Sequence, residues 1–244
     1  MNEKRQSLVG HLTELRSRLI RVVMAIGAGM LVSLLFAKEI FRWLQRPLLR
    51  LLDHDSPFIV TGPIEAFVTY LKVAILSALF LSAPFIFWQI WQFVAPGLYR
   101  NEKRLAFLFV TLTSLFFAGG ALFGYFVIFP IGFKFLVSVL EGTGIQFLPQ
   151  MEGYLRFITR MLLTFGLIFE LPVVLTLLGR IGVVTSGQLS RARRYVVVLA
   201  FLLAGILTPG PDVLSQLLLA LPLLALYEIS VIAVRFVQRT TFSR

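Results

Sequence analysis

Ala78-Leu-Phe-Leu-Ser-Ala-Pro-Phe-Ile-Phe-Trp-Gln-Ile-Trp-Gln-Phe-Val-Ala-Pro-Gly-Leu-Tyr-Arg-Asn-Glu-Lys-Arg104 is the stretch on which the reading of this chain turns. Its first part is apolar and aromatic, with Pro84 removing one backbone N–H and so bending a helix. Pro96-Gly97 breaks that helix. A short basic loop follows, holding one acid, Glu102, among Arg100, Lys103 and Arg104. Past Arg104 the chain is apolar again. Two apolar helices around a charged loop make a membrane hairpin, with a carboxylate at its surface among cations.

The rest of the composition agrees. Of 244 residues 58% are hydrophobic and only 14% charged, against about a quarter charged in soluble domains. Several stretches reach the ~20 apolar residues that cross a bilayer. The formal charge is +11, but the cations sit at the ends of apolar segments. Positive-inside topology and anionic headgroups account for them there, without nucleic acid. With no cysteine and only His11 and His54, separated in sequence, neither a metal set nor a thiol or histidine catalytic group is expected. The sequence therefore predicts no metal, no cofactor and no catalytic residue. The N-terminal apolar run is too long for a cleavable signal core, so the first helix is expected to stay.

Taken in order, the spacing predicts a helix over 7–37, with a charged entry (His11, Glu14, Arg16, Arg18, Arg21) and a span over 19–37. Apolar pairs alternate with Lys38, Arg42, Arg46 and Arg50 over 38–50, an interfacial amphipathic helix that Pro47 bends or ends. Gly62-Pro63-Ile64-Glu65 reads as a helix start, with proline and an acid in the first turn. Spans follow over 67–94, 105–136 and 154–183. Trp88, Trp91 and Phe93 fit an interfacial aromatic belt. Glu170-Leu171-Pro172 puts a carboxylate in the middle of the fourth span, where a charge costs about 2.5–3.5 kcal/mol to insert. It is either a functional contact or a structural polar lock. The last two spans, 195–208 and 213–234, are short, and they are joined by Thr208-Pro-Gly-Pro211 with Asp212 as helix N-cap.

The expected fold is all-α: one transmembrane domain over 1–244 with six spans, several kinked by proline. Cations are denser in the N-terminal segment, the 95–104 and 180–194 loops and the C-terminal tail than on the other side. This places both termini in the cytoplasm. Glu14 and Glu102 then share the cytoplasmic interface. If the ends of the first and third spans are neighbours, their carboxylates suit two guanidiniums, which bind carboxylate as a fork that lysine cannot match. Each acid also has an ordinary reading: Glu14 as the i,i+4 partner of Arg18, and Glu102 as a helix-start acid favoured by the macrodipole.

The order of motifs carries a resemblance. His11-Leu-Thr-Glu-Leu-Arg16, Leu81-Ser-Ala-Pro84, Gln89-x-Trp91-x-Phe93-Val-Ala-Pro-Gly-Leu-Tyr99 and Glu102-Lys-Arg104 come first. Phe129-Pro130, Phe169-Glu-Leu-Pro172, Arg193-Arg-Tyr195 and Leu207-Thr-Pro209 with Asp212-x-x-Ser215-Gln216 follow. The chain resembles the TatC family, the multispanning receptor subunits of twin-arginine protein translocases, with Gly210 lengthening the last turn. The resemblance implies that Glu14 and Glu102 bind the arginine pair of signal peptides on folded cargo, with Arg16 and Phe93 nearby. Pro47 is implied to be a structural cap. Glu170, Thr208 and Gln216 are implied to meet single-span partners of the TatA and TatB type. It also implies a homo-oligomeric complex in the cell inner membrane, driven by the proton-motive force. Two other classes fit the sequence less well. A proton-coupled transporter using Glu170 lacks matching broken helices in two halves, and an intramembrane enzyme lacks a nucleophile with a placed base.

Overall fold

The computed structural model describes residues 2–52, 58–94, 103–139, 147–207 and 213–242. Glu102, Thr208 and Asp212 lie outside them, as do the Pro96-Gly97 break and the Pro209–Pro211 turn. The described chain is helical: α1 (Asn2–Leu35), α2 (Ala37–Leu49), α3 (Glu65–Val94), α4 (Lys103–Phe123), α5 (Phe129–Ser138), α6 (Met151–Phe169), α7 (Leu171–Arg180), α8 (Ser186–Leu207) and α9 (Val213–Phe242). A single isolated bridge, Ile59 with Gln150, is its one piece of β pairing.

Among the described residues five segments are long and apolar enough to cross a bilayer: Gly10–Leu35, Glu65–Phe93, Phe107–Phe135, Met151–Arg180 and Gln216–Gln238. The sixth apolar helix is α8. Its 22 residues outrun its apolar part, because Arg191, Arg193 and Arg194 occupy the first half without a breaker to end the helix. The shortness expected of the fifth span thus belongs to its apolar stretch and not to the helix. In α9 the apolar stretch itself, Gln216–Gln238, is long enough to cross, and the helix of 30 residues continues past Arg235.

Proline and glycine set the bends. Pro84 and Pro222 lie inside α3 and α9. Between α4 and α5 the chain widens into a π turn, Gly124–Ile128, where the Phe129 N–H reaches Gly124 O. Pro130 follows at the start of α5. The ring would collide with the carbonyl one turn earlier, and the wider turn absorbs it. Glu170 separates α6 from α7, with its N–H on Leu167 O (3.1 Å) and its carbonyl accepting the Val174 N–H (2.9 Å). Gly182, with φ 78°, closes α7 in the left-handed conformation glycine favours.

The chain divides into two compact units. The first comprises Met1–Trp43 and Ala66–Ser114, the second Leu44–Glu65 and Leu115–Arg244. In the first, α1 and α3 run antiparallel in a register fixed at several points. Gly29 lies against Ala78 and Ser82 so closely that a Cβ would sit 3.2 Å from Ser82 Oγ. Ser82 Oγ donates to Ala25 O (3.2 Å), and His11 stacks on Phe93 (4.2 Å between centroids).

In the second unit Phe165, fully buried, fills the space beside Gly120 and Gly124. Tyr154 is a hub. Its ring meets Phe58, Phe129 and Phe133, and its hydroxyl donates to Leu44 O (2.5 Å). That carbonyl lies in the turn before Pro47, where a proline ring loosens the helical ladder. α2 continues two residues beyond Pro47 to Leu49, so the proline bends this helix without ending it. Glu65 ties the loops on its side together. Oε2 accepts the Thr61 N–H (2.5 Å) and hydroxyl (2.8 Å), and Oε1 accepts the Glu152 N–H (3.0 Å). Gln150 Nε2 donates to Thr61 Oγ1 (2.8 Å).

Candidate functional site

Two side-chain stripes meet where the start of α1 crosses the end of α3. On α1, His11, Glu14 and Arg18 are three and four residues apart and share one face. On α3, Gln89, Gln92 and Phe93 do the same. At their contact the Arg18 guanidinium is enclosed. Nε and Nη2 both donate to Glu14 Oε1 (3.0 and 2.5 Å). Nη1 donates to Gln89 Oε1 (3.2 Å) and Gln92 Oε1 (2.7 Å), and Nη2 also reaches Gln92 O (3.3 Å). The Arg18 side chain is only 15% exposed, whereas that of Glu14 is 41% exposed. Gln89 is buried. The His11–Phe93 stack borders this cluster.

The ordinary reading of Glu14 as an i,i+4 partner is therefore realised, but with an addition. Surface pairs of this kind contribute only a few tenths of a kcal/mol. Here carboxamide oxygens from a second helix complete the cage, and charge-assisted bonds in a partly desolvated place are the stronger kind. Chemically the arrangement is a guanidinium seat: one carboxylate and neutral acceptors, open to solvent on the Glu14 side.

Of the predicted residues, the structure brings Glu14 and Phe93 into one neighbourhood. Arg16 points elsewhere and is exposed, because two residues along a helix turn the side chain to the opposite face. The sequence alone does not single out Arg18, Gln89 and Gln92 as site residues. The signal that marks them is the i,i+3,i+4 spacing of Gln89, Gln92 and Phe93. It is legible in the sequence but cannot name its partner stripe on α1.

The second set lies in the other unit. Glu170 is 7% exposed, its Oε1 is buried without a hydrogen-bond partner, and the Phe117 backbone approaches the carboxyl. Gln216 packs on Gly205, where a Cβ would come within 3.0 Å of its Nε2. No described contact joins Glu170 to Gln216. Near the start of α8, Arg193 grips Glu228 on α9 through two bonds (2.6 and 2.7 Å). No group of three His, Cys, Asp or Glu that could hold a metal occurs among the described residues.

Helices this long and apolar define a multi-pass membrane protein. Comparison with known proteins gives the family. The model of the Sec-independent protein translocase protein (TatC) matches residues 10–222. A TatC of Desulforapulum autotrophicum is 43% identical over 233 residues, covering 96% of this chain and 86% of that one. The TatC of Escherichia coli (strain K12) is 39% identical over 234 residues, covering 96% and 90%. A crystal structure of the twin-arginine translocase receptor TatC superposes with TM-score 0.83 at 36% identity, covering 93% of this chain and 99% of that one. The chain belongs to the TatC family. It is a component of the Sec-independent, twin-arginine protein translocase, a transport protein and not an enzyme.

Proposed function

We propose that the α1–α3 crossing is the receptor site for the consecutive arginines of a signal peptide, with Glu14 and Glu102 as the two carboxylates. Support comes from Glu14, a half-exposed carboxylate in a cage whose acceptors already hold one guanidinium. Glu102 stands in the sequence just before α4 and supplies the second acid. Phe93 offers an apolar wall for the segment that follows the arginines, and Arg16 contributes to the cationic rim. The site faces the cytoplasm, with both termini on that side of the inner membrane, as the distribution of Lys and Arg favours. The whole chain acts as one membrane domain of six spans, Pro47 serving as a structural element of the opposite face.

Partner subunits with a single span dock on the polar positions of the second unit. Glu170, with an unpartnered oxygen in apolar surroundings, offers the strongest demand for a donor. Gln216, and Thr208 next after α8 in the sequence, are further contact positions for those subunits, and the assembled complex, containing several copies, uses the proton-motive force. The test is affinity for a labelled peptide with an Arg-Arg pair before an apolar run, measured on the full chain in detergent. Glu14→Gln and Glu102→Gln should each weaken it by about tenfold or more, from loss of a charge-assisted contact. Unchanged affinity in both variants would sink the assignment.

A further inference from the structure

The guanidinium seat is full before any ligand arrives. We infer that Arg18 is a built-in competitor: it occupies Glu14 in the resting receptor and yields the carboxylate to the ligand's arginine while staying bound to Gln89 and Gln92. This inference rests on the reading of Glu14 as a ligand carboxylate.

The distribution of bonds around Arg18 carries the argument. Its Nε and Nη2 bonds go to a single oxygen, Glu14 Oε1, on the side of the cage that is open to solvent. Its remaining bonds go to Gln89 Oε1, Gln92 Oε1 and Gln92 O, on the buried side. Losing Glu14 leaves Arg18 with those acceptors, so the exchange does not strand a buried cation, the event that makes breaking most enclosed ion pairs costly. Both Arg18 bonds crowd one oxygen, so an incoming guanidinium that forks onto the two oxygens of Glu14 must take Oε1 from Arg18. A plain strut would need no second set of acceptors, and an i,i+4 pair alone would leave the arginine solvated. Gln89, buried on α3, and Gln92 one turn along provide a seat that is useful once Glu14 is taken away.

Two consequences follow from competition. The apparent affinity falls by the fraction of time Glu14 is free, a penalty that falls equally on every ligand that needs the carboxylate. Affinity is thereby held down without loss of discrimination, which suits a receptor that must also release its ligand. Neutralising Glu14 between ligands also avoids an unpaired carboxylate at the membrane surface.

The experiment measures peptide affinity on the full chain in detergent, with Arg-Arg and Lys-Lys versions of one labelled peptide. Arg18→Gln should tighten both by the same factor, about three- to tenfold, so that their ratio is unchanged. Gln92→Leu removes the alternative seat and should weaken both. Arg21→Gln, an exposed cation further along α1, removes the same charge without freeing Glu14 and should give a clearly smaller gain. Arg18→Lys, which keeps the charge but cannot fork, should fall between wild type and Arg18→Gln, and it stands in if the Gln variant does not fold. Weaker or unchanged binding in a folded Arg18→Gln variant overturns the inference and makes Arg18 a strut. An equal gain from Arg21→Gln overturns it in favour of bulk charge. If Glu14→Gln leaves Arg-Arg binding intact, the receptor assignment itself fails. If Glu14→Gln weakens binding and Arg18→Gln does not tighten it, only the competitor fails.

Discussion

The carboxylate of Glu65 accepts the backbone N–H of Glu152, 87 positions later, at 3.0 Å, while its other oxygen takes both donors of Thr61. One side chain thus satisfies a free N–H at the start of α6 and reaches back over the start of α3, in the manner of a capping box shared by two helices. Glu65→Ala should lower the melting temperature in detergent, and Glu65→Gln should lower it less. Glu39→Ala, which loses only an exposed 3.4 Å pair with Arg42, should leave it unchanged. Equal melting for all three would show that the two loops are not held by Glu65.

Adjacent glycines in α4 should behave oppositely. A Cβ on Gly120 would collide with Phe165 O and lie 2.7 Å from Phe169 Cβ, whereas one on Gly119 meets nothing within 4 Å. Gly120→Ala should destabilise by about 1–3 kcal/mol through overpacking. Gly119→Ala should be neutral or slightly stabilising, since alanine is the better helix former. Denaturant unfolding of both variants decides it, and similar effects would contradict the α4–α6 contact.

Tyr154→Phe keeps the aromatic cluster and deletes only the hydroxyl bond to Leu44 O. The loss should be about 0.5–1.5 kcal/mol, the usual net worth of one such bond. A change close to zero would show that the carbonyl before Pro47 needs no cap.

Glu170→Leu separates a structural lock from a docking contact. The buried Oε1 has no partner within the described chain, so replacing the group by an apolar one should not lower stability of the isolated protein. Co-purification with single-span subunits should fall sharply in the same variant. Loss of stability with retained co-purification would make Glu170 a lock.

Much of the fold is legible in the sequence because its signals are local. The amphipathic pattern of 38–50 gives α2, with Phe41, Leu44 and Leu48 buried and Arg42, Arg46 and Arg50 exposed. Pro172 beside Glu170 marks the break between α6 and α7. The π turn at Gly124–Ile128 is less legible, since proline signals a distortion without saying whether the helix kinks or widens. The Glu65–Glu152 tie and the Ser82–Ala25 bond of the α1–α3 register join residues 87 and 57 positions apart, and no periodicity encodes those pairings. The candidate site divides in the same way. Glu14 stands out as an acid at a basic interface, while Gln89 and Gln92 look like ordinary polar residues at a helix end. Only the crossing of α1 over α3 reveals that they hold Arg18.

The central claim is that Glu14 and Glu102 receive paired arginines. Its most direct measurement is photo-cross-linking of a signal peptide to probes at positions 14 and 102, with a probe at position 141, in a loop that the cation distribution assigns to the other side, as control. The account predicts cross-links at 14 and 102 with an Arg-Arg peptide, lost with a Lys-Lys peptide and in a Glu102→Gln background, and none at 141. Equal cross-linking of both peptides, or none at 14 and 102, would contradict it.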